Sequence, residues 1–169
     1  MFLSGKTALV TGSTSGIGLA YARALAAEGA NLVINGFGDE AEIEKDRAAL
    51  EQASGAKAIY AGGDLTTREG CESLMRAGLD AFGAVDILIC NAGMQYVAPV
   101  DEFPVEKWDQ IIALNLSSAF HCSRLAIPGM KQKGWGRIIF TASAHSLTAS
   151  PFKSAYVSAK HALAGLAKT

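Results

Sequence analysis

Short apolar runs alternate along this chain with longer segments whose apolar residues recur at helical spacing. The first run, Lys6-Thr-Ala-Leu-Val-Thr11, stops at Gly12 and a polar Gly/Ser/Thr turn, and reads as a buried parallel strand. From Gly16-Ile-Gly18 onward Leu19, Ala22, Ala26 and Ala27 follow helical spacing until Gly29, a residue suited to ending a helix. The alternation continues. Leu32-Val-Ile34 predicts a second strand, residues 39–53 a polar, Ala/Glu-rich surface helix, and Lys57-Ala-Ile-Tyr-Ala61 a third strand. A helix is expected over about 67–82, and then a fourth strand, Val85-Asp-Ile-Leu-Ile-Cys90. One or two helices are expected between 105 and about 131, and Gly136-Arg-Ile-Ile-Phe-Thr141 is the fifth strand. No internal repeat or linker interrupts the series, which predicts a doubly wound α/β fold: a parallel sheet with helices on both faces.

In a sheet of this Rossmann-like kind the ligand sits beyond the carboxyl ends of the strands at the switch point, here between the first and fourth strands. Gly12, Asp64, Asn91 and Ser143 all follow strands and are expected to line one crevice. The turn Thr11-Gly12-Ser-Thr14-Ser15-Gly16-Ile17-Gly18 meets the needs of a diphosphate. Glycines let the backbone approach, hydroxyls are expected to add donors, and the start of the helix offers free N–H groups at a positive dipole end.

A chain of 169 residues with 50% apolar content can bury one sizeable core, so one domain over 1–169 is expected. The net charge is −1 with Lys and Arg scattered, which argues against a nucleic-acid surface or a polybasic membrane patch and leaves a small molecule as the expected partner. Residues 1–10 lack the basic and long apolar regions of a secretion signal, and no uncharged apolar run is long enough to span a bilayer; a cytoplasmic location is expected. Cys71, Cys90 and Cys122 are odd in number and form no Cys-x-x-Cys pair, so buried free thiols are expected, with neither a disulfide framework nor a metal site.

Ser154-Ala-Tyr156-Val-Ser-Ala-Lys160 places a phenol and an amine four residues apart. On a helix that step turns about 40° and climbs about 6 Å, so both groups leave one face. A free tyrosine titrates near pH 10 and is a poor base at neutrality; a neighbouring cation favours its phenolate. Lys160 can be that cation. The same spacing also fits an ordinary amphipathic helix, so the pair gains weight only from the residues upstream.

Taken together these residues resemble the short-chain dehydrogenase/reductase family over essentially the whole chain. The turn Thr11-Gly12-x-x-x-Gly16-x-Gly18 is similar to that family's cofactor loop, and Asn91-Ala92-Gly93 to its motif after the fourth strand. Asp64, followed by Leu65, is similar to its acid at the adenine edge. Asn115, Ser143, Tyr156 and Lys160 follow the order and spacing of its catalytic four. The resemblance implies hydride transfer with Tyr156 as acid/base, Ser143 holding the substrate oxygen, Lys160 also holding the nicotinamide ribose, and Asn115 supporting a water that relays protons to the lysine.

Cofactor choice in such folds rests on an acid about 20 residues past the glycine turn, which holds the ribose 2′-hydroxyl. Phe37 stands there between Gly36 and Gly38, and Ser15 and Asn35 offer no cation for a 2′-phosphate. NAD is expected, because an unpaired phosphate loses more than an unpaired hydroxyl. Asp39 could reach toward the ribose, but capping the next helix suits it better.

Gln95, His145 and Lys153 would ring one end of a small substrate with donors, an arrangement suited to a carboxylate. With the run 91–104 they imply, by resemblance, a small 3-hydroxy or 3-keto acid. Another reductase of the family, acting on 3-oxoacyl carriers or on sugars, and a non-catalytic nucleotide-binding module are the competing readings. The resemblance further implies a homotetramer, in which Ala159, Leu163 and Leu166 could face another subunit, and further strands, a substrate loop and a carboxyl-terminal segment beyond Thr169.

Overall fold

The computed structural model describes residues 1–169, the side chain of Ser54 excepted. Strands β1 (Thr7–Val10), β2 (Asn31–Ile34), β3 (Ala58–Tyr60), β4 (Ile87–Cys90) and β5 (Arg137–Phe140) form one parallel sheet in the order β3-β2-β1-β4-β5. Helices α1 (Gly16–Ala27), α2 (Glu40–Ser54), α3 (Arg68–Phe82), α4 (Val105–Ile112), α5 (Ser118–Lys133) and α6 (Ser154–Lys168) connect and cover it. The doubly wound topology is the one the sequence predicts, with the switch between β1 and β4.

Strand pleating divides the apolar side chains. Leu9, Val33, Leu88 and Cys90 pack with Leu74 and Met75 of α3, Cys122 and Ala126 of α5 and Leu163 of α6. Ala8, Val10, Leu32, Ile34 and Ile89 turn the other way, onto Ala22 and Ala26 of α1 and Ile43 and Leu50 of α2. Burying both faces is why β1 and β4 read as unbroken apolar runs. Edge strand β5 alternates instead, with Ile138 and Phe140 in the first core and Ile139 exposed. Cys71, Cys90 and Cys122 are buried free thiols, and burial pushes Cys90 up to about 12. Ala159 and Leu163, whose place in the core or on a subunit surface the sequence leaves open, are buried within this chain; Leu166 is half-buried.

Two helix starts explain the polar residues before them. Asp39 accepts hydrogen bonds from the Ala41 and Glu42 amides, so its carboxylate caps α2 and does not reach toward a ribose. Thr67 caps α3 through the Gly70 amide. Between α4 and α5 the chain does not break: Ala113–Ser117 continue the rod as a π-helical segment, whose wider turn carries Asn115.

At the amino ends of the strands Asp86 joins three of them. Its carboxylate accepts from the Thr7 amide (2.9 Å) and the Lys133 ammonium (2.9 Å), its own amide donates to Thr7 O, and its carbonyl accepts from the Arg137 amide. Asp86→Ala strands a buried amide and removes a charge-assisted bond, so it should lower unfolding stability by about 2–3 kcal/mol. The Lys133 side chain is 45% exposed and recovers water, so Lys133→Ala should cost no more than about 1 kcal/mol. Urea titrations read both changes, and equal midpoints for the parent and Asp86→Ala would remove Asp86 from this role.

Candidate active site

Where β1 and β4 part, their connections leave to opposite faces and a cleft of about 390 Å³ opens. Side chains take over from the sheet ladder at this point. The buried Thr11 hydroxyl accepts from the Asn91 and Ala92 amides at 2.9 and 3.0 Å. The Asn91 amide group donates to Thr11 O and Gly12 O, and its Oδ1 accepts from the Thr141 hydroxyl at 3.2 Å. One side chain thereby holds the ends of β1, β4 and β5 together.

The glycine turn (Gly12, Thr14, Ser15, Gly16, Ile17), the β2 end (Asn35, Gly36, Phe37), Gly63 and Leu65, and Asn91, Ala92 and Gly93 line this cleft, with Leu114 from the π segment. Of the four residues expected to share one crevice, Gly12 and Asn91 line it. Asp64 and Ser143 do not: the Asp64 carboxylate folds back onto the Thr66 amide and hydroxyl at 2.9 and 2.8 Å. Gly63 and Leu114 were not anticipated, and Asn35 and Gly36 were noted only as neighbours of Phe37 that carry no charge. Asn35 had a signal, a polar residue directly after the apolar run of β2; buried, it donates to Ala61 O and so ties β2 to β3.

The expected hydroxyl donors are mostly committed elsewhere. Ser13 is fully buried and donates to Val10 O while accepting from the Asn35 amide, and Thr14 donates to Phe37 O at 2.8 Å. Ser15 precedes α1 without capping it, which leaves the first amides of the helix as open donors. The close packing depends on glycine. Gly16 has φ +54°, and a Cβ on Gly18 would stand 2.0 Å from Gly12 O and 2.6 Å from Asn91 Nδ2.

Tyr156 and Lys160 do leave one face of α6, with the Lys160 Nζ 5.6 Å from the centre of the Tyr156 ring. Lys160 is only 4% exposed and donates to Thr141 O at 2.6 Å. Burial pulls the pKa of this ammonium below its ordinary value of 10.5. Ser143 opens the turn Ala144–Ser146, which packs against α6; its Oγ accepts from the His145 amide at 3.2 Å, so its own proton is free to donate elsewhere. The His145 ring meets the Tyr156 ring edge-on at 6.0 Å and shares a 3.4 Å contact with Ser150 Oγ.

The Nδ1 of His145 and the Oγ of Ser154 are buried without a protein partner, and sequence reading missed the latter. Asn115 spends its amide on one residue, accepting from Met94 N (2.9 Å) and donating to Met94 O (2.8 Å). That fixes the peptide just ahead of Gln95, which is exposed. Lys153 is half-buried at the start of α6.

The Lys160 shift has a consequence of definite sign. The unfolded chain holds this proton more tightly than the folded one, so folding gains stability as pH rises through the window between the depressed value and about 10.4. Urea unfolding from about pH 7 to 10 should therefore show the parent gaining on Lys160→Met with rising pH; a difference that stays constant would mean an unperturbed lysine.

Comparison with known proteins places this geometry. Residues 6–169 match the family model for short chain dehydrogenases. D-beta-hydroxybutyrate dehydrogenase of Cupriavidus necator is 56% identical over 167 residues, 98% of this chain and 64% of that protein. The enzyme of the same description from Rhizobium meliloti is 56% identical over 164 residues, 97% of this chain and 64% of that protein. The chain thus spans about 64% of the length of these curated relatives. A solved structure from Sinorhizobium meliloti, described as a candidate short-chain alcohol dehydrogenase, superposes with a TM-score of 0.89 at 34% identity, covering 97% of this chain and 64% of that one. With the family model matched across nearly its whole length, this chain belongs to the short-chain dehydrogenases.

Proposed function

We propose that the chain is the nucleotide-binding and proton-transfer part of an NAD-dependent enzyme interconverting D-3-hydroxybutyrate and acetoacetate. The observation that carries this reading is the loop around Tyr156. His145 Nδ1 and Ser154 Oγ are buried and unpartnered there, and Lys153 stands half-buried beside them, in a chain 56% identical to two hydroxybutyrate dehydrogenases. Buried polar atoms without partners are costly unless a ligand satisfies them. A carboxylate, an acceptor at both oxygens, suits donors at Gln95, His145 and Lys153.

The residues of the cleft fit a dinucleotide. Open amides at Gly16, Ile17 and Gly18 suit a diphosphate, and Asn91, Ala92 and Gly93 with Leu114 would flank the rest of the cofactor. No Lys or Arg lines the cleft, so a 2′-phosphate would lack a counter-charge, which favours NAD. Phe37, 77% exposed at the rim, stands where an acid is usual, and Leu65 would bound the adenine side, with Asp64 just outside. When bound, the nicotinamide ring supplies the hydride acceptor.

The protein's own task is to move the proton. Ser143 donates to the substrate oxygen with the hydrogen that its contact to His145 leaves free, and Tyr156 takes the hydroxyl proton. Lys160, anchored on Thr141 O, keeps hydrogens for the phenolate and the ribose. Asn115 serves by holding the Met94 peptide, and through it Gln95, in place; the proton-relay water is part of the same reading. A homotetramer belongs to it as well, with Phe120 and Ile127 exposed on α5. No described helix is long and apolar enough to cross a membrane; a cytoplasmic location is a separate part of the same proposal.

Tyr156→Phe in the full-length protein should reduce turnover by about 10²–10⁴-fold while NAD still binds. Unchanged turnover would remove Tyr156 as the acid/base. The parent should prefer D-3-hydroxybutyrate to butan-2-ol; no preference would remove the carboxylate site, and a strong preference for NADPH would point to another reductase of the family.

A further inference from the structure

Phe152 is the one non-glycine residue among those described with a positive φ, 66°. Bulky residues rarely adopt this left-handed backbone, because the Cβ crowds the following carbonyl oxygen. Burial of the ring does not explain it, since Phe152 is 55% exposed. Its carbonyl is held: the Ala98 amide donates to Phe152 O at 2.9 Å. That hydrogen bond ties together two loops, the one that follows β4 and carries Gln95, and the one that follows β5 and carries His145.

Directly after Phe152 comes Lys153, with φ −117° and ψ 37°, and then the first turn of α6, where the Val157 amide returns to Lys153 O at 2.9 Å. Ser150, on the other side of the bend, touches His145 Nε2 at 3.4 Å. The strained residue therefore lies between two polar groups of one loop, next to the bond that brings in the loop of the third. Strain of this kind persists where the surroundings over-determine it, and it concentrates at ligand sites.

We propose that the left-handed backbone of Phe152, locked by the Ala98 amide, is a positioning device that presents Lys153 to the substrate carboxylate. The backbone conformation matters here and the exposed ring does not. This rests on the hydroxy-acid reading given above.

The test is a series at Phe152 in the full-length protein, assayed with NAD on D-3-hydroxybutyrate and on butan-2-ol, alongside Lys153→Ala. Gly and Asn reach the left-handed region easily, whereas a β-branched side chain resists it. Phe152→Gly and Phe152→Asn should keep KM for the hydroxy acid within about twofold of the parent, and Phe152→Val should raise it about tenfold, with kcat and the butan-2-ol activity little changed. Ala98→Pro, which deletes the donor, should behave like Phe152→Val.

Equal KM values for Phe152→Val and the parent, where Lys153→Ala raises KM, would overturn the positioning role. So would Phe152→Gly and Phe152→Asn losing as much as Lys153→Ala, an outcome that remains readable if Phe152→Val fails to fold. If Lys153→Ala itself leaves the preference for D-3-hydroxybutyrate over butan-2-ol unchanged, the carboxylate reading fails, and the positioning role with it.

Discussion

The structure depends on how backbone polar groups are satisfied where β1 and β4 separate. A doubly wound sheet makes its cleft by sending neighbouring strands to opposite faces, and this ends the ladder while the backbone is still close to buried. Unpaired amides and carbonyls there would be costly. Asn91 and Thr11 meet the need between them: one hydroxyl takes two amides, and one side-chain amide covers two carbonyls and accepts from Thr141. An Asn is required because the position must donate twice and accept once from a single planar group.

This junction also connects the two halves of the site. Thr141 donates its hydroxyl to Asn91 and receives Lys160 on its carbonyl, and Lys160 stands over the Tyr156 ring. The glycine turn, whose Gly12 carbonyl is held by the same Asn91 amide, is thus linked to the tyrosine through one strand-end residue. Two side-chain hydroxyls of the turn are engaged away from the cleft, while Ser15 lines it. Ser13 and Thr14 fasten the turn to the end of β2, which leaves backbone N–H groups and the Ser15 hydroxyl as the donors. Backbone donors fixed in this way need no reorganisation when an anion arrives.

The fold was largely legible because Gly, Asp or Asn follows the apolar runs of β1 to β4, and a sheet buried on both faces leaves a strong signal in four-residue strands such as β1 and β4. The Tyr156 and Lys160 pair was legible because helical spacing alone places them. Other features were hidden for physical reasons. Nothing in the spacing of Ser13, Thr14 and Ser15 tells which hydroxyl faces β2 and which faces the cleft. Asp64 looked like a cleft acid, but a carboxylate two residues before a Thr finds a local partner first. Alanine-rich α6 gave no sign that Ala159 and Leu163 face inward within the same chain, since small apolar residues suit a core and a subunit contact equally. The bend at Phe152 was invisible, because a left-handed phenylalanine contradicts local preference and is imposed from Ala98.

Lys160 shows why these details point to chemistry and not to packing. A buried ammonium loses its hydration, and here a single carbonyl, with no carboxylate, replaces it. An apolar side chain of similar length would fill the same space without that penalty. The helix around it has no lack of apolar residues, with Ala155, Ala159 and Leu163 already at the core. Stability alone therefore does not account for a lysine at this position. The proposed proton transfer would account for it, because the remaining hydrogens of its Nζ, which lies 5.6 Å from the centre of the Tyr156 ring, are what that reading asks the lysine to supply.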